Sequence, residues 1–334
     1  MNLNFRITKT SNLFHFISNL TNWHFSVRPS YKRYWLEKTG PLTKKEEETL
    51  QEVDSLFKKY NFGPNYWGHV LLTEEDEIVW EKANKKFGAK DTEKFRHFEK
   101  VFSKRFEKIW TEDKNKLTEW KKVLERSNQN KTSDKLIETL NSLFGKDGGG
   151  EVIDVILLLS TPNTRGAGGG NLAPRAITLE VSQTPDQYTT NVQLMLWHEL
   201  VHVIWEKGPY QKTFNNFHEK LLNSGALSPV ENVPLRVTLN EAVMESLLPY
   251  GYLGYKYFNY KSKDYFNEIL SKLENNFDKN QVMIYWRVYS ANKLFELSQN
   301  YCERGKAIDK DFLEKVVKIM IEFINKRWSL STNP

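Results

Sequence analysis

The sequence predicts an α+β protein that is mainly helical, with a small sheet in its second half beside an apolar helix and a helical region ahead of it. Three observations carry that reading. Apolar residues recur at helical spacing over long stretches, as in 43–60 and 312–324. Two β-branched runs of strand length, Val152–Leu159 and Ala176–Val181, interrupt that pattern. Between the second run and Gly208-Pro209 lies the apolar segment 192–205, long enough for a buried helix.

In chain order, residues 2–8 alternate polar and apolar, which predicts a short strand, and Ser11 can cap a helix carrying Leu13, Phe14, Ile17 and Leu20. The aromatic and basic stretch 23–34 reads as irregular before a short helix. Thr43 is an N-cap candidate for a helix with Glu46, Glu47 and Glu48 at its positive end and an apolar stripe from Leu50 to Tyr60, ended by Gly63-Pro64. Further helices are expected near 74–87, 92–127 and 133–144. The glycine run 145–150 is the sharpest composition break and sets the expected division into 1–147, mainly helical with one strand, and 148–334, packed as one body. A second glycine stretch, 166–171, reads as a loop that is mobile or closely approached.

Bulk properties narrow the function classes. With 39% hydrophobic and 27% charged residues, the chain fits a soluble globular protein, and no apolar run is long enough for a membrane span. Arg6 and Lys9 stand where a secretory signal would be apolar, so none is expected. Cys302 is the only cysteine, which excludes intrachain disulfides and a thiolate zinc cluster and fits a cytoplasmic location. The net charge of +6 comes from lysines interleaved with glutamates, a solvated helix face, so no nucleic-acid partner is expected. His15 and His24 have no ligand companion at helical spacing and read as packed or surface histidines.

The chemistry is concentrated in His198-Glu199-Leu200-Val201-His202, an H-E-x-x-H pattern. Residues four apart on a helix project from one face, so both imidazoles can reach one metal ion, and Glu199 stands beside them as a general base for a metal-activated water. Leu194, Leu196, Leu200, Val201, Val203 and Ile204 make the surroundings a core, where two histidines and a carboxylate need a metal or matched partners. A catalytic zinc takes three protein ligands, so a third must be found. Glu206 shares nearly the same face, but a straight helix carries it past the ion. Trp205 and Gly208 occupy the places where a third-histidine pattern needs Gly and His. His218 and Glu219 lie in an amphipathic segment with no other site signature. The stronger candidate is Glu241: Leu239, Val243 and Leu247 anchor its helix, while Glu241 and Glu245 share another face. Glu241 as the third ligand, with Glu245 accepting a hydrogen bond from the far nitrogen of a ligating histidine, explains both carboxylates; a salt-bridged structural pair is the alternative.

In His198–His202 and 240–245 the chain resembles the gluzincin zinc metallopeptidases. The resemblance, confined to about 176–246, implies a zincin-like catalytic region, one Zn²⁺ held by His198, His202 and Glu241, Glu199 as general base and Glu245 behind the ligands. It also implies a peptide or protein substrate. The 38 residues between His202 and Glu241 exceed the family's usual interval and predict an inserted loop or helix. A downstream donor should stabilise the oxyanion; by analogy Tyr289 and Arg287 are chosen, with Tyr250, Tyr252, Tyr255 and Tyr285 as the other candidates. Two other classes stay open: a zincin-like binding or interaction protein with little catalysis, and a metal-dependent amidase acting on a non-peptide substrate.

Overall fold

The computed structural model describes residues 1–24, 27–61, 66–128, 131–162, 168–224, 233–261, 263–275 and 282–331. It is mostly helical with one small mixed sheet, as the periodicities predict. The chain divides into two compact units interleaved in sequence: Met1–Gln129 with Val152–Gln193, and Asn130–Glu151 with Leu194–Pro334. The glycine run 145–150 falls inside the second unit. Among the described residues no helix is long and apolar enough to cross a membrane.

In the first unit, β1 (Asn2–Arg6) is followed by α1 (Lys9–Leu20), α2 (Pro29–Thr39), α3 (Lys44–Lys59), α4 (Gly68–Leu71), α5 (Val79–Phe87) and the long α6 (Ala89–Asn128). Three strands come later: β2 (Val152–Leu159), β3 (Gly169–Ala173) and β4 (Ala176–Val181). The sheet order is β1-β2-β4-β3, with β1, β2 and β4 parallel and β3 antiparallel at one edge. Asn2 pairs with Val152, and Asp154 accepts from both Asn4 and Arg6 at 2.8 Å, so polar side chains fix the register of the first strand. Parallel strands need covering, and α1 and α6 supply it. The polar Asn12 of α1 survives there because Nδ2 donates to Leu157 O at 3.1 Å and Oδ1 accepts from Leu159 N at 3.3 Å.

The glycine stretch read as a loop is partly strand, since Gly169–Ala173 pairs with β4; residues 163–167 and the expected helix stop at Gly63-Pro64 lie outside the described residues. Thr43 caps α3 in a full capping box: Glu46 N donates to Thr43 Oγ1 at 3.3 Å, and Thr43 N donates to Glu46 Oε2 at 2.7 Å.

The second unit holds α7 (Lys131–Phe144), the end of α8 (Pro185–Leu200), then α9 (Pro209–Ser224), α10 (Leu235–Glu245) and α11 (Tyr252–Phe258). It closes with α12 (Lys263–Asn275), α13 (Val282–Lys293), α14 (Phe295–Arg304) and α15 (Lys310–Ser331). The long interval between the histidines and Glu241 is partly filled by α9. Helix α10 packs on α13 and α15. Trp286 from α13 closes that contact: its ring is buried, its Nε1 donates to Thr238 O at 2.9 Å, and Phe323 of α15 lies 5.4 Å away.

Candidate metal centre

Helix α8 is α-helical through Leu200 and then widens into a single π turn, Val201–Trp205, with Glu206 N donating to Val201 O at 2.9 Å. Residues from 141–148 of the same unit seat this turn. Trp205 Nε1 donates to Asn141 Oδ1 at 2.8 Å, and Lys146 Nζ donates to Ile204 O at 2.6 Å. A Cβ on Gly148 would stand 2.5 Å from Trp205 Cζ2, so only glycine lets the chain pass that close to the indole. Part of the glycine run therefore exists to seat the motif helix.

His198 is 4% exposed and His202 9%, and their rings meet edge to face. Each Nδ1 faces a group that only accepts. His198 Nδ1 donates to Leu248 O at 2.9 Å, and His202 Nδ1 donates to the Glu206 carboxylate at 2.7 Å. Both Nε2 atoms are thereby left with lone pairs, and they stand 3.2 Å apart. Lone pairs at that distance repel unless a cation lies between them, either a metal ion or a shared proton. The electrostatics agree with one positive charge on the pair. Burial, then His202, push His198 down to about 4. Burial also opposes the charge on His202, yet Glu206, Glu241 and Glu199 outweigh it and raise His202 to about 9.

Glu241 adds a third group within reach of the pair. Its Oε1 is 3.6 Å from His202 Nε2, and its Oε2 is 3.8 Å from His198 Nε2, beyond hydrogen-bond reach of either. A proton between the imidazoles does not engage that carboxylate, whereas an ion can draw on all three groups. Tetrahedral zinc with bonds near 2.0–2.1 Å sets ligand atoms about 3.3 Å apart, within a few tenths of an ångström of the nitrogen pair and half an ångström of the carboxylate distances.

Arg287 of α13 reaches the same carboxylates, with Nη2 2.9 Å from Glu241 Oε2 and Nη1 3.7 Å from Glu245 Oε1. Burial raises Glu241, but Arg287 and both histidines overcome it and hold the group below its ordinary range. Glu245, at 2% exposure, is pushed up to about 8 by burial, and Arg287 offsets this only in part. Glu199 is raised to about 7, again by burial, so its carboxylate sits close to neutrality.

The structure corrects two of the expected roles. Glu245 accepts no hydrogen bond from either histidine; those bonds go to Leu248 O and Glu206, and Glu245 lies by Arg287 instead. Glu206 was visible as an acid four residues after His202, but the π turn that shifts its phase has no local sequence signature. Tyr289 is the second correction. Two residues along a helix turn the side chain about 200°, and so Arg287 joins the cluster while Tyr289 packs on Phe323 at 5.3 Å and Phe266 at 6.3 Å. Tyr250 feels the cluster: burial, then Glu245, raise its phenol well above the ordinary value, and Arg287 pulls the other way. Tyr252 donates to Glu303 at 2.9 Å, Tyr255 is exposed, and Tyr285 is buried. His218 stacks on Phe214, and the described residues show no other group of three metal-binding side chains. No protein-family model, curated protein or solved structure matches the chain.

Two outcomes test the supports of the centre. Glu206→Gln keeps an acceptor at His202 Nδ1 but removes its charge, and should weaken zinc binding by about 10- to 100-fold in a chelator competition. Gly251→Ala attacks the other support, because a Cβ there would press into the backbone of Ser246 and Leu247 inside van der Waals contact. The turn presenting Leu248 O must then move, and zinc affinity should fall by a similar factor, about tenfold or more. Unchanged affinity in either variant would remove that support from the account.

Proposed function

We propose that the chain is a zinc-dependent hydrolase, and most concretely a metallopeptidase of the gluzincin type, with His198, His202 and Glu241 as ligands and Glu199 as general base. The observation that carries this reading is the convergence of two Nε2 lone pairs and one carboxylate that no proton can bridge together. Zinc bound there supplies a Lewis acid that polarises a carbonyl and acidifies water. Glu199, raised to about 7, is poised to take the proton from the attacking water and return it to the leaving amine. Glu206 and Leu248 O fix the tautomers and ring orientations of the histidines, and Arg287 holds Glu241 in place. Tyr250 keeps its proton and, of the candidate tyrosines, is the one that feels Glu245 and Arg287, so it is assigned as donor to a developing oxyanion. An ionisable base in the motif favours catalysis over a purely binding role.

Metal analysis of the purified chain should return one zinc per molecule. A chelator should abolish cleavage of a fluorogenic peptide library, and added zinc should restore it. Absence of stoichiometric metal would refute the assignment. Zinc without peptide cleavage would turn the reading toward the amidase or interaction classes.

A further inference from the structure

The first unit holds a second cluster of ionisable groups that the metal centre does not use. Glu180 of β4 is 7% exposed. His15 Nε2 lies 3.1 Å from its Oε1, and Arg28 Nη1 lies 3.6 Å from its Oε2. Burial works against the charge on Glu180, but His15, Arg28 and Tyr31 overcome it and hold the carboxyl below its ordinary range. These groups border a cavity of about 220 Å³ whose walls include Trp23, Tyr66, Trp67 and Leu158. At roughly 30 Å³ of liquid volume per water, it has room for about seven waters, the size of an amino acid rather than a peptide or nucleotide.

Two features show what the cavity lacks. Arg28 spends Nη1 on Tyr31 and Glu180, while its side chain stays 44% exposed with Nη2 toward Gly168. Trp67 is 1% exposed, and its Nε1 has no acceptor among the described residues. A buried indole N–H without an acceptor is costly, and both groups donate. Gly168, just before β3, and Gly170 within it keep the wall open: a Cβ on Gly168 would sit 3.0 Å from Glu180 Oε2, and one on Gly170 would sit 3.1 Å from Thr178 Oγ1.

We propose that this cavity binds a small carboxylate with a short apolar chain, its oxygens taken by Arg28 and the Trp67 indole N–H and its chain lying among Trp23, Tyr66 and Leu158. One guanidinium with a planar fork suits a carboxylate, and the apolar walls exclude a bare inorganic anion. The site shares no residue with the metal centre, so it stands or falls independently of the hydrolase reading.

Isothermal titration of the full chain at pH 6, with 4-methylpentanoate, L-leucine, 4-methylpentanamide and inorganic phosphate as probes, tests this. 4-Methylpentanoate should bind at least tenfold more tightly than its amide or phosphate. L-Leucine binding as tightly as 4-methylpentanoate makes the ligand an amino acid; weaker binding makes it a simple organic acid. Arg28→Lys preserves a charge beside Glu180 but loses the fork, and should weaken binding about tenfold. Gly170→Ala, which only narrows the cavity, should weaken it as well, with circular dichroism reporting that both variants are folded. The site is refuted if neither carboxylate binds, if the amide or phosphate binds equally well, or if both folded variants bind like the parent.

Discussion

Glu199→Gln should lower kcat/KM for a cleaved peptide by about 10²- to 10⁴-fold, the range set by removing a general base. Zinc content should stay unchanged. The substitution is nearly isosteric and leaves the three groups of the proposed zinc site untouched, so a loss of metal would mean that Glu199 has been given the wrong role. The size of the effect rests on where the carboxyl titrates. Burial carries it to about 7; Glu241 adds to this, while His202 and Arg287 pull against it. A carboxylate in bulk water would titrate nearer 4.3 and be a weaker base at neutral pH. Glutamine keeps the shape of the side chain but exchanges one accepting oxygen for a donating NH2 and cannot take up the proton. Steady-state kinetics with a single fluorogenic peptide, paired with metal analysis of the same preparations, separates the outcomes. Turnover within a few fold of the parent would remove Glu199 from the mechanism even if zinc is present.

The parts of the site legible in the sequence are those that local geometry encodes. Four-residue spacing put His198 and His202 on one face, and two acids on an otherwise apolar helix singled out Glu241. Thr43 and Glu46, three apart before an apolar stripe, announced the capping box that the structure contains. Tertiary partners left no such trace. That Leu248 would turn its carbonyl to His198 depends on a close backbone turn at Gly251, and nothing in the spacing says which helix the turn will face. The phase of Glu206 depends on a π turn seated by Trp205 against Asn141 and Gly148, which lie far upstream of it. Tyr289 failed for the opposite reason: family analogy proposed it together with Arg287, although helical periodicity forbids both from facing one centre. β1 was readable as a strand, but its pairing with β2 joins residues separated by most of two helical regions.

Arg105→Met should destabilise the first unit by about 3–5 kcal/mol, the cost of leaving a buried ion-pair partner uncompensated. Arg105 and Glu46 are each 7% exposed. The guanidinium meets the carboxylate bidentately, with Nε to Oε1 and Nη2 to Oε2 both at 2.7 Å. It also donates to Thr39 Oγ1, Gly40 O and Pro41 O, tying the turn between α2 and α3 to α6. The pair therefore does more than cancel charge. The double variant Arg105→Met with Glu46→Leu should recover the part due to the stranded carboxylate, yet remain about 1–3 kcal/mol below the parent, because two carbonyls and a hydroxyl lose their donor. Acid provides an independent check. Arg105 holds Glu46 at about 2 despite burial, with Thr43 helping. A carboxyl depressed in the folded state stabilises above its unfolded value near 4.5, and that contribution fades as pH falls toward 2. The gap between parent and Arg105→Met should accordingly be full at pH 7 and shrink below about pH 4.5, as protonated Glu46 no longer needs a cation. Urea denaturation followed by circular dichroism at pH 7 and pH 3 measures both values, and a gap that is constant or grows in acid would show that the pair's charge is not what holds this corner together.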